Sequence, residues 1–201
     1  MTEVRVGPVA FSSLHEAISE LLPERLEFYE TWLHGDRLPD RRGSAAPLAA
    51  VLGFLRTERG EAYHRIMARA GQAAAIWTVD GLTPWKRRSA TSLPPSLRAR
   101  AAFRVADGLV RAVHGPGRLS RRMRRGHVEI GVTASLFCGV REAPPAPLCG
   151  FYLAAVLETL RQFNLYAEGQ VTNCRAISGT SCVMAVDWSA SREARNPAEA
   201  A

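Results

Sequence analysis

The sequence predicts an α+β domain in which an antiparallel sheet, built of hairpins, has helices packed on it. Three observations predict this class. Apolar residues recur with a helical period before Gly117, strand-like alternation begins after it, and a strongly apolar helix separates two pairs of short strands. Strands joined through hairpins pair antiparallel, and their apolar face needs a covering layer of helices.

The N-terminal half is predicted to be mainly helical. The elements are a short strand over 4–8, a helix capped by Ser12 or Ser13 and ended by Pro23, a second helix over 26–33 and a surface loop from His34 to Pro47. Leu48 to Thr78 is either two helices or one helix that breaks at Gly60, and Asp80 to Pro95 is a loop. Ser96 is expected to cap the next helix, which carries an apolar stripe and ends at Gly115-Pro116-Gly117.

The C-terminal half is predicted to form the sheet. Its elements are strands over Leu119–Arg125 and His127–Thr133 with Gly126 at the turn, a loop over Glu142–Pro147, a buried helix over Leu148–Phe163 and hairpin arms over Tyr166–Ile177 and Cys182–Trp188 that turn at Ser178-Gly179-Thr180. We therefore predict one domain over residues 1–188, with a core of motifs over 126–188 and a disordered tail over 189–201.

The composition indicates an ordinary globular chain with a basic surface. The 201 residues carry a formal net charge of +7, and Lys86 is the only lysine. No stretch of apolar residues is long enough to span a membrane, and the N-terminus lacks the layout of a secretory signal. A cytoplasmic location with reduced thiols is expected. The charge favours anionic partners, among which nucleic acid ranks last because no aromatic residue accompanies the arginines of 119–125.

The four cysteines all fall between residues 138 and 182. Cys149 opens the buried helix, where the helix dipole should lower the pKa of its thiol. Cys174 and Cys182 are expected to face each other across the hairpin, and Cys138, at the end of a strand, could supply a fourth sulfur. Thiolates that converge in this way suit tetrahedral zinc. No C-x-x-C pair is present, so buried structural cysteines are the alternative.

Three segments resemble the V4R (4-vinyl reductase) family of small-molecule-binding domains. They are Val128-Glu-Ile-Gly-Val-Thr-Ala-Ser-Leu-Phe-Cys138, Pro147-Leu-Cys-Gly-Phe-Tyr152 and Cys174-Arg-Ala-Ile-Ser-Gly-Thr-Ser-Cys182. The resemblance implies a fold similar to the vesicle-tethering TRAPP subunits, an apolar ligand pocket under the helices, and a zinc site of three cysteines and a glutamate. Cys149, Cys174 and Cys182 match those cysteines. Val171 stands where the glutamate would be, so Cys138 or Glu168 would have to complete the site.

The chain resembles the stand-alone member for which that family is named, which belongs to bacteriochlorophyll biosynthesis, more than the family's sensor-regulators. The chain has no dinucleotide fingerprint, Walker lysine or iron–sulfur motif, which weakens a direct reductase function. We therefore predict a carrier or accessory protein that binds a tetrapyrrole of the divinyl chlorophyllide type. Trp77, Trp85 and Phe103 are the predicted pocket walls, and arginines of the 121–125 segment would pair with propionates.

Two alternatives stay open at this point. A 4-vinyl reductase acting directly on the chlorophyllide precursor would need bound NADPH or flavin. A sensor or protein-interaction module would serve another apolar ligand, a biosynthetic enzyme partner or a homodimer. The histidines are not expected to be catalytic, and His114, at a helix C-terminus, should favour its charged form.

Overall fold

The computed structural model describes residues 5–33, 43–85, 92–114, 118–124, 126–140, 142–179 and 181–190. Its helices are α1 (Pro8–Leu21), α2 (Leu26–Leu33), α3 (Ala45–Asp80), α4 (Pro95–Val113), α5 (Gly150–Gln162) and α6 (Arg175–Ser178), with a 3₁₀ turn at Pro23–Arg25. Its strands are β1 (Arg5–Val6), β2 (Gly43–Ser44), β3 (Arg118–Arg124), β4 (His127–Thr133), β5 (Tyr166–Asn173) and β6 (Cys182–Ser189).

The main sheet has four antiparallel strands in the order β3-β4-β6-β5. Gly126 joins β3 to β4 at a backbone φ of 67°, a conformation that glycine adopts without strain. In β4 the side chains of Val128, Ile130 and Val132 are buried, and the alternate residues point away from the core. The predicted α+β class and the predicted β3–β4 hairpin are confirmed.

Helices cover one face of this sheet. α5 packs on β5, α4 packs on β3, and α3 lies along α5, with α1 and α2 against α3. One hydrophobic cluster runs through all of these elements, from Val6 in β1 to Val186 in β6. The opposite sheet face carries exposed polar side chains, among them Ser120, Arg122, Glu129, Gln170 and Thr172. No helix within the described ranges is both long and apolar enough to cross a membrane.

Two helix starts differ from the prediction, and proline is the reason in each. α1 begins at Pro8 with Gly7 as its N-cap, so Ser12 and Ser13 lie inside the helix, where the Ser13 hydroxyl donates to the Ala10 carbonyl at 3.3 Å. α4 begins at Pro95 rather than after a Ser96 cap. A proline at the first helical position loses no hydrogen bond, because that N–H has no partner in the helix anyway.

α3 is one helix of 36 residues and does not break at Gly60. One glycine costs a helix about 1 kcal/mol, and the residues that α3 buries on either side of it compensate. The predicted loop over 34–47 also ends earlier than expected, because Gly43–Ser44 pairs with β1 and α3 begins at Ala45.

The hairpin between β5 and β6 is shorter than predicted. Pairing ends at Asn173↔Val183, and residues 175–178 form the short helix α6, which ends at Gly179 with a φ of 75°. Cys174 is therefore not the cross-strand neighbour of Cys182, whose partner is Val132 in β4.

Several predictions fall outside the described residues. They concern Val4, most of the 34–47 loop, Gly115-Pro116-Gly117, Arg125, Thr180 and the tail from residue 191. The division into a domain over 1–188 and a disordered tail accordingly stays a prediction. The expectation for His114 is wrong, because burial lowers the pKa of its ring although a backbone hydrogen bond raises it, so desolvation outweighs the helix dipole.

α3 and α5 cross at very close range at Gly71. A Cβ atom at Gly71 would lie 2.2 Å from the Phe151 carbonyl oxygen and 3.1 Å from the Ala155 nitrogen. Only a residue without a side chain permits this approach of two backbones. Gly71 thus sets the distance between the helices that support the sites described below.

Gly71→Ala should lower the free energy of unfolding by about 1–3 kcal/mol, because the backbones must separate to admit the methyl group. Gly108→Ala is the matched control. It lies inside α4, where a Cβ would meet no atom within 4 Å, so a gain of up to about 1 kcal/mol is expected. Urea denaturation followed by circular dichroism measures both. Equal stability of the two variants would contradict the close crossing.

Candidate metal centre and ligand grooves

The four cysteines meet at one point in the core. Cys138 lies in the loop after β4, Cys149 is the residue before α5, Cys174 precedes α6, and Cys182 begins β6. The four sulfur atoms lie within 4.8 Å of one another, and all four residues are buried. The structure therefore brings together the four residues that the sequence singled out as metal ligands.

The distances suit a shared ion better than a disulfide. Cys138 Sγ lies 3.2 Å from Cys149 Sγ, 3.6 Å from Cys174 Sγ and 3.5 Å from Cys182 Sγ. A disulfide requires about 2.05 Å, and the cysteines are free. Around zinc, with Zn–S bonds of about 2.3 Å, the sulfurs of a tetrahedron stand about 3.8 Å apart. The three separations from Cys138 Sγ are slightly shorter than this value, and no two of the four sulfurs are more than 4.8 Å apart, so small shifts of the side chains would give a four-thiolate site.

Contacts between the thiols shift the pKa values of the cysteines. Hydrogen bonds with the Cys138 and Cys149 thiols lower the pKa of Cys182. The pKa of Cys149 is raised, first by its hydrogen bond with Cys138, then by that with Cys182 and by burial. The predicted effect of the helix dipole on Cys149 is therefore wrong, because contacts between the thiols dominate.

Backbone and aromatic groups enclose the cluster. The Leu148 N–H donates to Cys174 Sγ at 3.4 Å, a contact that favours a charged sulfur. Phe137 packs on Phe151 with 4.6 Å between ring centroids, and the Tyr152 hydroxyl accepts a hydrogen bond from the Leu136 N–H at 3.2 Å. The sulfurs therefore lie in a dry environment that is held from several sides.

Glu168, the other residue considered as a fourth ligand, does not join the cluster. It lies exposed on β5, where the Tyr166 hydroxyl donates to its carboxylate. Within the described part of the chain, Cys138 is the residue that completes the group of four.

An apolar groove of about 440 Å³ lies between α3, α5 and β5, and we call it the α3–α5 groove. Its lining is Ala68, Gln72, Gly150, Leu153, Ala154, Leu157, Glu158, Arg161, Leu165, Tyr166 and Ala167. Leu153 and Leu157 are one helical turn apart and half-buried, so they form an apolar wall along α5. The sequence showed only that this helix is apolar all round, and this wall was missed.

A carboxylate–guanidinium pair closes one end of the α3–α5 groove. Glu158 is buried and accepts two hydrogen bonds from Arg161, from Nε at 2.7 Å and from a terminal nitrogen at 2.6 Å. Gln162 donates a third, at 2.7 Å. The pair is bidentate, and the Arg161 side chain remains 67% exposed. The groove thus has apolar walls, and the two opposite charges at this end are paired with each other.

A second groove, of about 410 Å³, lies between α3 and the segment 144–148, and we call it the Arg56 groove. Its lining is Arg56, Tyr63, His64, Pro144, Pro145, Ala146 and Leu148, none of which lines the first groove. Leu148 precedes Cys149, so this groove borders the cysteine cluster.

The three aromatic residues predicted as pocket walls lie elsewhere. Phe103 is fully buried in the core, whereas Trp77 and Trp85 are 40% and 78% exposed. None of them lines either apolar groove. Arg121 and Arg122 border a polar depression at β3 and β4 that also includes Glu129. Binding through these residues stays a prediction.

Comparison with known structures agrees with the architecture. A trafficking protein particle complex subunit 3 from Naegleria fowleri, solved covalently bound to palmitic acid, superposes with a TM-score of 0.51 at 13% sequence identity, covering 72% of this chain and 95% of that one. The phenol-responsive sensory domain of the transcription activator PoxR, solved with phenol, gives 0.42 at 14% identity, covering 74% and 77%. No protein-family model and no curated protein matches the sequence.

The chain thus has the α+β fold of the trafficking-complex subunit, as the sequence predicted. At 13% identity the likeness shows the fold alone. Membership of the V4R family stays a prediction that rests on the three quoted segments.

Proposed function

We propose that this protein binds an apolar small molecule in the α3–α5 groove, on a scaffold that zinc holds together through Cys138, Cys149, Cys174 and Cys182. The observation that carries the ligand proposal is the groove itself. It has a volume of about 440 Å³, and Leu153 and Leu157 form an accessible apolar wall along it. That volume falls in the usual range for small-molecule sites, which are mostly apolar with few polar groups. The fold's occurrence with a bound fatty acid in the trafficking subunit supports the same class of ligand.

The ligand is held without a covalent bond to sulfur. A thioester needs a free cysteine beside the acyl chain, but all four cysteines of the chain belong to the cluster, and none lines either groove. Affinity must then come from burial of apolar area, at about 25 cal/mol per Å².

The zinc proposal rests on the fit of the four sulfurs. Four protein thiolates fill the coordination sphere of zinc, which makes such a site structural and leaves no position for a substrate. The ion would cross-link the loop after β4, the start of α5 and the β5–β6 hairpin. These segments support Gly150, Leu153 and Ala154, so zinc would also fix the wall of the groove.

A tetrapyrrole intermediate of bacteriochlorophyll biosynthesis is the narrower ligand proposal, with the protein as carrier. It rests on the V4R resemblance alone, and direct 4-vinyl reduction is its alternative. The ligand titrations below include protochlorophyllide for this reason. Oxidation of added NADPH in the presence of the pigment would favour the reductase.

Replacement of Ala154 by leucine should fill the α3–α5 groove and weaken ligand binding by about tenfold, equivalent to about 1.4 kcal/mol. The matched control is Ala185→Leu on the outer sheet face, which should bind as the wild type does. Binding is followed by the fluorescence of Nile red, a neutral apolar dye, with palmitic acid and protochlorophyllide as competitors in separate titrations. Equal dye affinity in the two variants would refute the groove as the ligand site.

The purified protein should contain one zinc ion per chain, and Cys138→Ser or Cys182→Ser should lose it. Loss of the cross-link should lower the melting temperature by about 5 °C or more, since each kcal/mol shifts a domain of this size by about 2–4 °C. Elemental analysis and thermal melts with and without a chelator measure both effects.

Ile177→Val is the matched control for these two variants. It changes an exposed residue of α6, between two of the cysteines, and removes no sulfur. It should keep both the zinc and the chelator-sensitive stability. A wild-type protein that contains no metal, and whose melting is the same with chelator or added zinc, would show that the cysteines are packed thiols.

A further inference from the structure

The Arg56 groove has the features of a second binding site, separate from the α3–α5 groove. The two grooves share no lining residue. The Arg56 groove combines apolar walls, from Pro144, Pro145, Ala146 and Leu148, with a cation and two aromatic rings. It therefore raises the question of which ligand would satisfy that cation.

Arg56 has no carboxylate partner among the side chains that the structure describes. Its guanidinium carbon lies 6.0 Å from the centroid of the Tyr63 ring, and no carboxylate of the described residues forms an ion pair with it. A half-buried guanidinium beside apolar walls has lost part of its hydration without a compensating charge. A planar carboxylate is the group that matches its paired donors.

Tyr63 is the neighbour of Arg56 in the groove lining. Its side chain is 1% exposed, and its hydroxyl is buried. Burial raises the pKa of Tyr63 to about 12, although the charge of the nearby Arg56 guanidinium and a hydrogen bond with it lower the pKa. Tyr63 therefore lies behind Arg56, and the guanidinium is the polar group of the two that an occupant of the groove would meet.

The apolar lining of the Arg56 groove favours a ligand that contains an aromatic ring. The half-buried His64 ring packs edge-on against Tyr63 at 5.5 Å between centroids, and two prolines, Pro144 and Pro145, also line the groove. Flat surfaces of this kind pack well against aromatic ligands. A volume of about 410 Å³ leaves room for a small molecule.

We infer that the Arg56 groove binds a small aromatic carboxylate, with Arg56 pairing to the carboxylate and Pro144, Pro145 and Ala146 packing on the ring. Leu148 also links this site to the cysteine cluster, because its N–H donates to Cys174 Sγ. An occupant therefore touches the peptide segment that closes the cluster.

Isothermal titration calorimetry with benzoate on the purified protein tests this inference. Benzoate should bind the wild type, and benzyl alcohol, which has the ring without the charge, should bind far more weakly. Arg56→Gln should lose about tenfold in benzoate affinity, equivalent to about 1.4 kcal/mol. Arg104→Gln, an exposed arginine of α4, is the matched control and should bind as the wild type does.

The Ala154→Leu variant separates this inference from the proposed function. It should bind benzoate normally even though its α3–α5 groove is filled. Benzoate binding that survives Arg56→Gln but is lost in Ala154→Leu would place the ligand in the other groove and overturn the inference. Absence of wild-type binding at millimolar benzoate would overturn it as well, whatever the Nile red titrations show.

Discussion

The contact among four buried sulfur atoms is the constraint on which the rest of this structure depends. Cys138 and Cys182 are 44 residues apart, yet their sulfurs lie 3.5 Å from each other. The cluster fixes the loop after β4, the start of α5 and the turn between β5 and β6 at one point. Four buried thiols at this spacing are consistent with the ligand set of a zinc ion.

α5 transmits this constraint to the ligand grooves. It starts at the cluster, passes Gly71 of α3 at backbone contact distance, and presents Leu153 and Leu157 to solvent between α3 and β5. The segment before it closes the Arg56 groove. Two apolar grooves, one bordered by the Glu158–Arg161 pair and the other by Arg56, therefore flank the cysteine cluster, and a change at the cluster would reach both.

The sequence predicted those features that local patterns determine. The β3–β4 hairpin and the apolar α5 follow from periodicity, and the convergence of the cysteines was expected as well. The predicted stripe of α4 is buried only at its C-terminal end, because Leu97 is exposed and α4 turns Ala102, Phe103 and Ala106 to the core instead. The reasoning about Cys174 was wrong, because α6 replaces the cross-strand pairing, although its sulfur still reaches the cluster. The groove walls depend on how α3 crosses α5. Aromatic character alone therefore could not identify them, as the full burial of Phe103 and the exposure of Trp85 illustrate.

X-ray absorption at the zinc edge of the purified protein tests the central claim most directly. Coordination by Cys138, Cys149, Cys174 and Cys182 predicts a first shell of four sulfur atoms at about 2.3 Å, with no nitrogen or oxygen at about 2.0 Å. A shell of three sulfurs and one light atom would contradict the account, because one cysteine would then not be a ligand. The light atom would have to come from Glu168, which the structure places elsewhere, or from water, for which four sulfurs leave no position.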